Sequence, residues 1–125
     1  MYVLDASAVL AVLNGEQGGE WVSNNLRTAV MSTVNAVEVG TRLLDSGMDH
    51  AAARTALALL GIPSIPFDAD LADRAVALRT QTRRRGLSLG DRACLALALR
   101  ERGTAVTCDR AWGDLELGCD VEVVR

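Results

Sequence analysis

Apolar residues along this chain fall in short runs that alternate with longer stretches of helical spacing, and Gly, Pro, Ser and Asp sit at the joints. Tyr2-Val3-Leu4 predicts a short buried strand. The Ala/Leu-rich segment after it predicts a helix that stops near Asn14-Gly15, a C-terminal signal. A second helix is expected through Trp21, Val22 and Leu26, followed by a strand at Ala29-Val30-Met31 that ends at Ser32-Thr33, where either hydroxyl can cap the next helix. That helix carries Val34, Val37 and Leu44 on related faces and ends at Ser46-Gly47. Another starts at Asp49 and runs through Ala51, Ala52, Leu57 and Leu60, so a tight helical hairpin is predicted.

Gly61-Ile62-Pro63 ends the hairpin. Ser64-Ile65-Pro66 leaves room only for a brief edge strand, because proline is tolerated at sheet edges rather than centres. Asp68 to Arg85 reads as an amphipathic helix with Leu71, Ala75 and Leu78 at helical spacing, acids in its first turn and arginines in its last, closed by Gly86. Ser88 opens a further helix with Leu89, Ala93 and Leu97 on one stripe, ending at Gly103. Thr104 to Thr107 follows as a strand, a helical turn covers Arg110 to Leu115, and Val121 to Val124 forms the last strand. Strand and helix alternate throughout, which predicts a parallel sheet with helices on both faces.

The 125 residues suit one compact domain with a single sizeable core. No apolar run reaches the ~20 residues that span a bilayer, so no membrane association is expected. Met1 leads straight into the first strand without a secretory leader, and a cytoplasmic location is the default expectation. The three cysteines, Cys94, Cys108 and Cys119, lack the close spacing of a zinc or redox pair. A net charge of −3 argues against a general nucleic-acid coat and leaves only local contacts with RNA or DNA. All 13 basic residues are Arg, which removes every mechanism that needs a lysine.

Against that background four acids stand out. Asp5, Glu38, Asp91 and Asp109 each lie where a predicted strand ends or a predicted helix begins, and these positions share one edge of a parallel sheet. Singly, each has an ordinary explanation. Asp5 and Asp109 can cap backbone N–H groups, Asp91 fits a capping box with Ser88, and Glu38 lies one turn before Arg42 as an i,i+4 ion pair. Jointly they predict one acidic site. Two carboxylates ~5 Å apart repel by about 3 kcal/mol at an effective dielectric of about 20, so the cluster calls for a cation. Oxygen ligands without Cys or His suit magnesium or manganese, and such a site can hydrolyse a phosphodiester.

Other residues are candidates for supporting parts. Ser7 and Thr107, each two residues from an acid, can orient a metal ligand or bound water, although Ser7 can equally serve the helix start. Arg92 and Arg110 neighbour acids and are candidates for substrate phosphate. Arg83-Arg84-Arg85 is explained equally by its helix C-terminus. His50 stands apart from the acids and is given no role. With 3% aromatic residues there is little material for a base-stacking platform.

Val3-Leu4-Asp5-Ala6-Ser7, Ser32-Thr33-Val34-Asn35-Ala36-Val37-Glu38, Leu87-Ser88-Leu89-Gly90-Asp91-Arg92-Ala93-Cys94-Leu95-Ala96 and Thr107-Cys108-Asp109 occur in that order. With them the whole chain resembles a PIN-domain ribonuclease of the VapC toxin type. The resemblance implies a three-layer α/β/α fold with a central, mainly parallel five-stranded sheet, as one PIN domain over residues 1–125. It implies a Mg2+- or Mn2+-dependent endoribonuclease acting on RNA, inhibited by a cognate VapB-like antitoxin bound over the site, and usually a homodimer. By the same resemblance Asp5 and Asp91 are the principal metal ligands, with Glu38 and Asp109 completing the pocket directly or through water. Asp114 is either a fifth acid of the site or a residue of the exposed turn after Trp112.

Two other readings compete. A response-regulator-like signalling domain also carries acids at strand ends, but by family analogy it needs a lysine that is absent here. A PIN fold acting as a non-catalytic binding module would share the fold and is disfavoured by the intact acids. Nucleotide hydrolysis of the P-loop kind lacks its Gly-Lys-Ser/Thr, and no Gly-x-Gly-x-x-Gly supports a dinucleotide site.

Overall fold

A computed structural model describes all residues, 1–125. Five strands form one parallel sheet: β1 (Tyr2–Leu4), β2 (Ala29–Ser32), β3 (Ser64–Ile65), β4 (Thr104–Thr107) and β5 (Asp120–Val123), in spatial order β3-β2-β1-β4-β5. The connections carry α1 (Ala6–Leu13), α2 (Gly19–Asn24), α3 (Thr33–Asp45), α4 (His50–Leu59), α5 (Ala69–Thr82) and α6 (Leu89–Glu101). The chain winds from β1 outward to β2 and β3, then crosses back to β4. The topological switch therefore lies between β1 and β4, where open α/β sheets leave a crevice.

Alternation along the strands sorts the core into two layers, because successive side chains leave a strand on opposite faces. Val3, Val30 and Ala105 face α5, α6 and Trp112. Leu4, Ala29, Met31 and Val106 face α1, α2, α3 and α4. The arrangement is the expected three-layer α/β/α fold. In α6 the run Ala93 to Ala98 is fully buried, and small Ala and Cys side chains let this helix lie against the sheet while α5 packs over it. Arg100 ties α6 to the start of α5 with hydrogen bonds of 3.0 and 2.9 Å to the two carboxylate oxygens of Asp68. No helix is long and apolar enough to cross a membrane.

The predicted elements recur, with shifts that have local causes. The second helix stops at Asn24, since Asn25 folds back and its side-chain amide donates to the Trp21 carbonyl at 2.7 Å. Leu26 then falls in a 3-10 turn, Leu26–Thr28. The long helix of Asp68 to Arg85 is α-helical to Thr82 and tightens to a 3-10 turn over Arg83–Arg85 before Gly86, at φ 64°. The turn after β4 is limited to Arg110–Trp112, and the last strand begins at Asp120 instead of Val121.

The largest correction concerns α3. Its buried stripe is Asn35, Val39 and Leu43, whereas Val37 and Leu44, expected with Val34 on related apolar faces, are 68% and 43% exposed. Leu89, expected on one stripe with Ala93 and Leu97, is likewise exposed, while those two are buried.

Helices α1 and α2 meet through a glycine. A β-carbon at Gly19 would overlap the Ala11 carbonyl oxygen and lie 2.8 Å from its carbon, whereas Gly40 in the middle of α3 has open space. Gly19→Ala is therefore expected to lower stability by about 1–3 kcal/mol through overpacking. Gly40→Ala is expected to raise it by about 0.5–1 kcal/mol through helix propensity. Urea unfolding midpoints measure both, and a Gly19→Ala midpoint at or above the parent's would refute the close α1–α2 approach.

Candidate functional site

At the switch point the end of β1 delivers Asp5 into the start of α1. The backbone there is extended and Asp5 caps the helix, with Oδ1 accepting from the Ala8 N–H at 2.9 Å. The side chain is 4% exposed. Ser7 donates its hydroxyl to Oδ1 at 2.7 Å, and Thr107, at the end of neighbouring β4, donates to Oδ2 at 2.5 Å. The same two hydroxyls accept N–H groups of the following loop, Ser7 from Cys108 at 2.9 Å and Thr107 from Asp109 at 3.0 Å. Ser7 and Thr107 thus hold Asp5 and align the loop that carries Asp109.

The other acids arrive from helix starts. Asp91 closes a capping box at α6: the Ser88 N–H donates to Asp91 Oδ2 at 2.9 Å while the Asp91 N–H donates to Ser88 Oγ at 3.2 Å. Asp109 caps the 3-10 turn that follows, accepting from the Ala111 N–H at 2.9 Å. Glu38 comes from the second turn of α3 and makes no ion pair with Arg42. Its Oε1 accepts instead from the side-chain amide of buried Asn35 at 2.9 Å. The carboxylate lies over the first turn of α6, where a β-carbon on Gly90 would overlap it.

Asp5, Glu38, Asp91 and Asp109 line one cavity of about 500 Å³, together with Ser7, Glu16, Thr41, Arg42 and Arg125. The four acids expected at one site are thus brought to one cavity. A ready coordination sphere is a different matter: no three acidic, histidine or cysteine side chains are gathered closely enough to hold a metal ion as they stand. Capping explains why. Asp5, Asp91 and Asp109 each turn toward backbone N–H groups, and their like charges favour staying apart.

The electrostatics record the same tension. Burial pushes the Asp5 carboxyl up to about 6 despite the hydrogen bonds from Thr107, Ser7 and Ala8 that favour its charged form, and the charge of Asp91 adds to the rise. Burial also raises Glu38, opposed by the Asn35 hydrogen bond and reinforced by Asp91.

The donor set fits a hard divalent cation such as Mg2+ or Mn2+. It offers carboxylate oxygens only, one of them strongly desolvated, in a space wide enough for the waters that Mg2+ retains alongside one or two carboxylates. Asp5, Glu38, Asp91 and Asp109 are the acids of this cavity that could hold such an ion.

The remaining candidates separate. Asp114 lies outside this cavity and forms a two-pronged pair with Arg85, Oδ2 accepting at 2.8 Å. Arg92 points away from the acids and donates to the Ala75 carbonyl of α5 at 2.9 Å. Arg110 is exposed, donates to the Arg125 carbonyl at 3.3 Å, and lines a shallower adjoining hollow with Asp109 and Arg125. The cations on the acidic cavity itself are Arg42 and Arg125, and neither was anticipated as a phosphate contact. Asn35 was also missed, although Asn35 and Glu38 at i and i+3 on a predicted helix are a readable pair.

The sequence model of the family described as PIN domain matches residues 2–116. No curated protein sequence matches the chain. Among solved structures, a toxin-antitoxin complex from Klebsiella pneumoniae is similar at 22% identity and a TM-score of 0.74, covering 100% of this chain and 98% of that one. VapBC2 from Rickettsia felis, solved bound to a DNA fragment from its promoter, gives 20% identity and a TM-score of 0.73, with coverage of 97% and 96%. VapC20 from Mycobacterium tuberculosis, a Sarcin-Ricin loop cleaving toxin, gives 19% and 0.70, with coverage of 94% and 98%. At these identities the likeness to the solved structures is one of fold.

The buried charge of Asp5 predicts a pH signature. Its folded value of about 6 lies above the ordinary 3.8, so the folded protein binds this proton more tightly than the unfolded chain does. The stability it contributes at low pH is then lost as pH rises from about 4 through about 6, by up to about 3 kcal/mol. In metal-free buffer with EDTA, Asp5→Asn should gain stability relative to the parent by that order between pH 4 and pH 7, measured by urea unfolding. A pH-independent difference would remove the buried-charge account.

Proposed function

The chain belongs to the PIN-domain family, and from that premise we propose that it is a metal-dependent endoribonuclease, the toxin of a VapBC-type toxin–antitoxin pair. The observation that carries the proposal is the convergence of Asp5, Glu38, Asp91 and Asp109 on one cavity at the switch point of the sheet. Structural caps alone give no reason for a carboxylate as buried as Asp5 to face the same hollow as three other acids.

In this reading Asp5 and Asp91 hold Mg2+ or Mn2+, and Glu38 and Asp109 complete its surroundings directly or through water. The bound cation supplies positive charge for the phosphate and lowers the pKa of an attacking water. Ser7 and Thr107 keep Asp5 oriented. Arg42 and Arg125 line the same cavity, Arg125 paired with Glu16 at 3.6 Å, and in this reading their guanidinium groups take backbone phosphates of RNA. With few aromatic residues to stack bases, recognition rests on backbone charge and shape.

The similarity in fold to toxins solved with their antitoxins supports a VapB-like partner bound over the site, and a homodimer accords with the same resemblance. An apolar hollow between α3 and α4 shares Val37 and Thr41 with the acidic cavity and offers a partner surface beside it. RNA is the favoured substrate class, in keeping with the relative that cleaves the Sarcin-Ricin loop.

The purified protein is expected to cleave RNA with Mg2+ or Mn2+. Asp5→Asn or Asp91→Asn should reduce cleavage by at least about a hundredfold while leaving the circular-dichroism spectrum unchanged. Robust cleavage in excess EDTA would overturn the proposal. In cells, expression of the chain alone should arrest growth and co-expression of its antitoxin should relieve the arrest, whereas equal toxicity from the Asp5→Asn protein would refute the nuclease explanation.

A further inference from the structure

Asn35 occupies the first position of the buried stripe of α3, ahead of Val39 and Leu43, and is 1% exposed. An amide there is costly unless its polar atoms find partners. Its Nδ2 donates to Glu38 Oε1 at 2.9 Å and to the Gly90 carbonyl at 3.0 Å, which uses both amide protons. Its Oδ1 is buried with no partner. The opposite amide orientation would press the oxygen against a carboxylate and a carbonyl, both acceptors, so the neighbours fix which way the group points.

One amide therefore joins a side chain of α3 to the backbone of α6 at the residue before Asp91. Gly90 completes the arrangement, because any larger side chain there would displace the Glu38 carboxylate. Oε1 is taken by Asn35, and Oε2 is left for a cation or its water. An apolar residue would fill the core position without an orphaned acceptor, so what the amide gains for the protein is the placement of Glu38.

We infer that Asn35 is a positioning residue: by clamping Glu38 to the first turn of α6 it sets the spacing at which Glu38 and Asp91 act on one divalent cation. The inference rests on the metal site proposed above and concerns binding rather than cleavage.

The test is Mn2+ affinity of the full chain, read from the free aquo-ion signal by electron paramagnetic resonance, for the parent and for Asn35→Leu. The parent should bind, and Asn35→Leu, folded by circular dichroism, should bind about 10- to 100-fold more weakly, the loss typical of groups that orient metal ligands. In a Glu38→Gln background the same substitution should change Mn2+ affinity less than threefold, because its effect passes through the Glu38 carboxylate. Parent-like affinity in folded Asn35→Leu would overturn the inference, as would an equal loss in the Glu38→Gln background. Should Asn35→Leu not fold, Asn35→Ala carries the same comparison. Mn2+ binding with the expected loss but without RNA cleavage by the parent would sink the nuclease reading and leave this inference standing. No Mn2+ binding by the parent would overturn both.

Discussion

The burial of one carboxylate, Asp5, organises the rest of this site. It stands where β1 ends, accepts hydrogen bonds from α1 on one side and from Thr107 of β4 on the other, and so spans the only place where the winding of the sheet reverses. Asp68 makes a useful contrast. Both residues cap a helix with nearly the same backbone geometry and an N–H bond of 2.9 Å. Asp68 is exposed and its carboxyl is lowered by the Leu71 N–H and Arg100, whereas Asp5 is raised because burial outweighs all of its donors. Capping alone produces the first outcome. The second describes a charge left short of compensation, the condition under which a bound cation is stabilising.

Much of this was readable in the chain. Asp5, Asp91 and Asp109 are legible because caps obey local rules: a short polar side chain at the end of an apolar run, and a Ser three residues before an Asp, set the backbone and the carboxylate together. The order of elements then puts those ends on one edge. What was not legible depends on helix phase. On α3 the stripe through Val34, Val37 and Leu44 competes with the one through Asn35, Val39 and Leu43, and hydrophobicity alone favours the first. The second is the buried one, and its Asn35 donates across to the Gly90 carbonyl of α6; no local rule announces a partner 55 residues away.

The arginines teach the same lesson. Adjacent residues on a helix leave it about 100° apart, so Arg92 beside Asp91 is turned into α5, while Arg42, one turn after Glu38, shares its face and reaches the cavity. Sequence neighbours are poor guides to contacts on helices, and turn neighbours are better. Asp114 is placed differently. It lies beyond the 3-10 turn, where the Arg85 guanidinium is a two-pronged partner that balances its charge without a metal ion.

The structural and chemical accounts of these acids do not compete, because a carboxylate has about four acceptor sites and a cap uses few of them. Asp91 gives Oδ2 to the Ser88 amide and Asp109 gives Oδ1 to the Ala111 amide, which leaves an oxygen on each for another ligand. Asp5 is the most heavily used, with three donors, and it is also the most desolvated. Main-chain hydrogen bonds thus aim the carboxylates with the precision of helix ends, at positions the fold fixes without any metal. The cost of that arrangement is borne mainly at Asp5, where burial and the charge of Asp91 disfavour ionisation. A cation drawn into the cavity would relieve both effects at once, so the group that is least comfortable in the metal-free protein is the one with most to gain from binding.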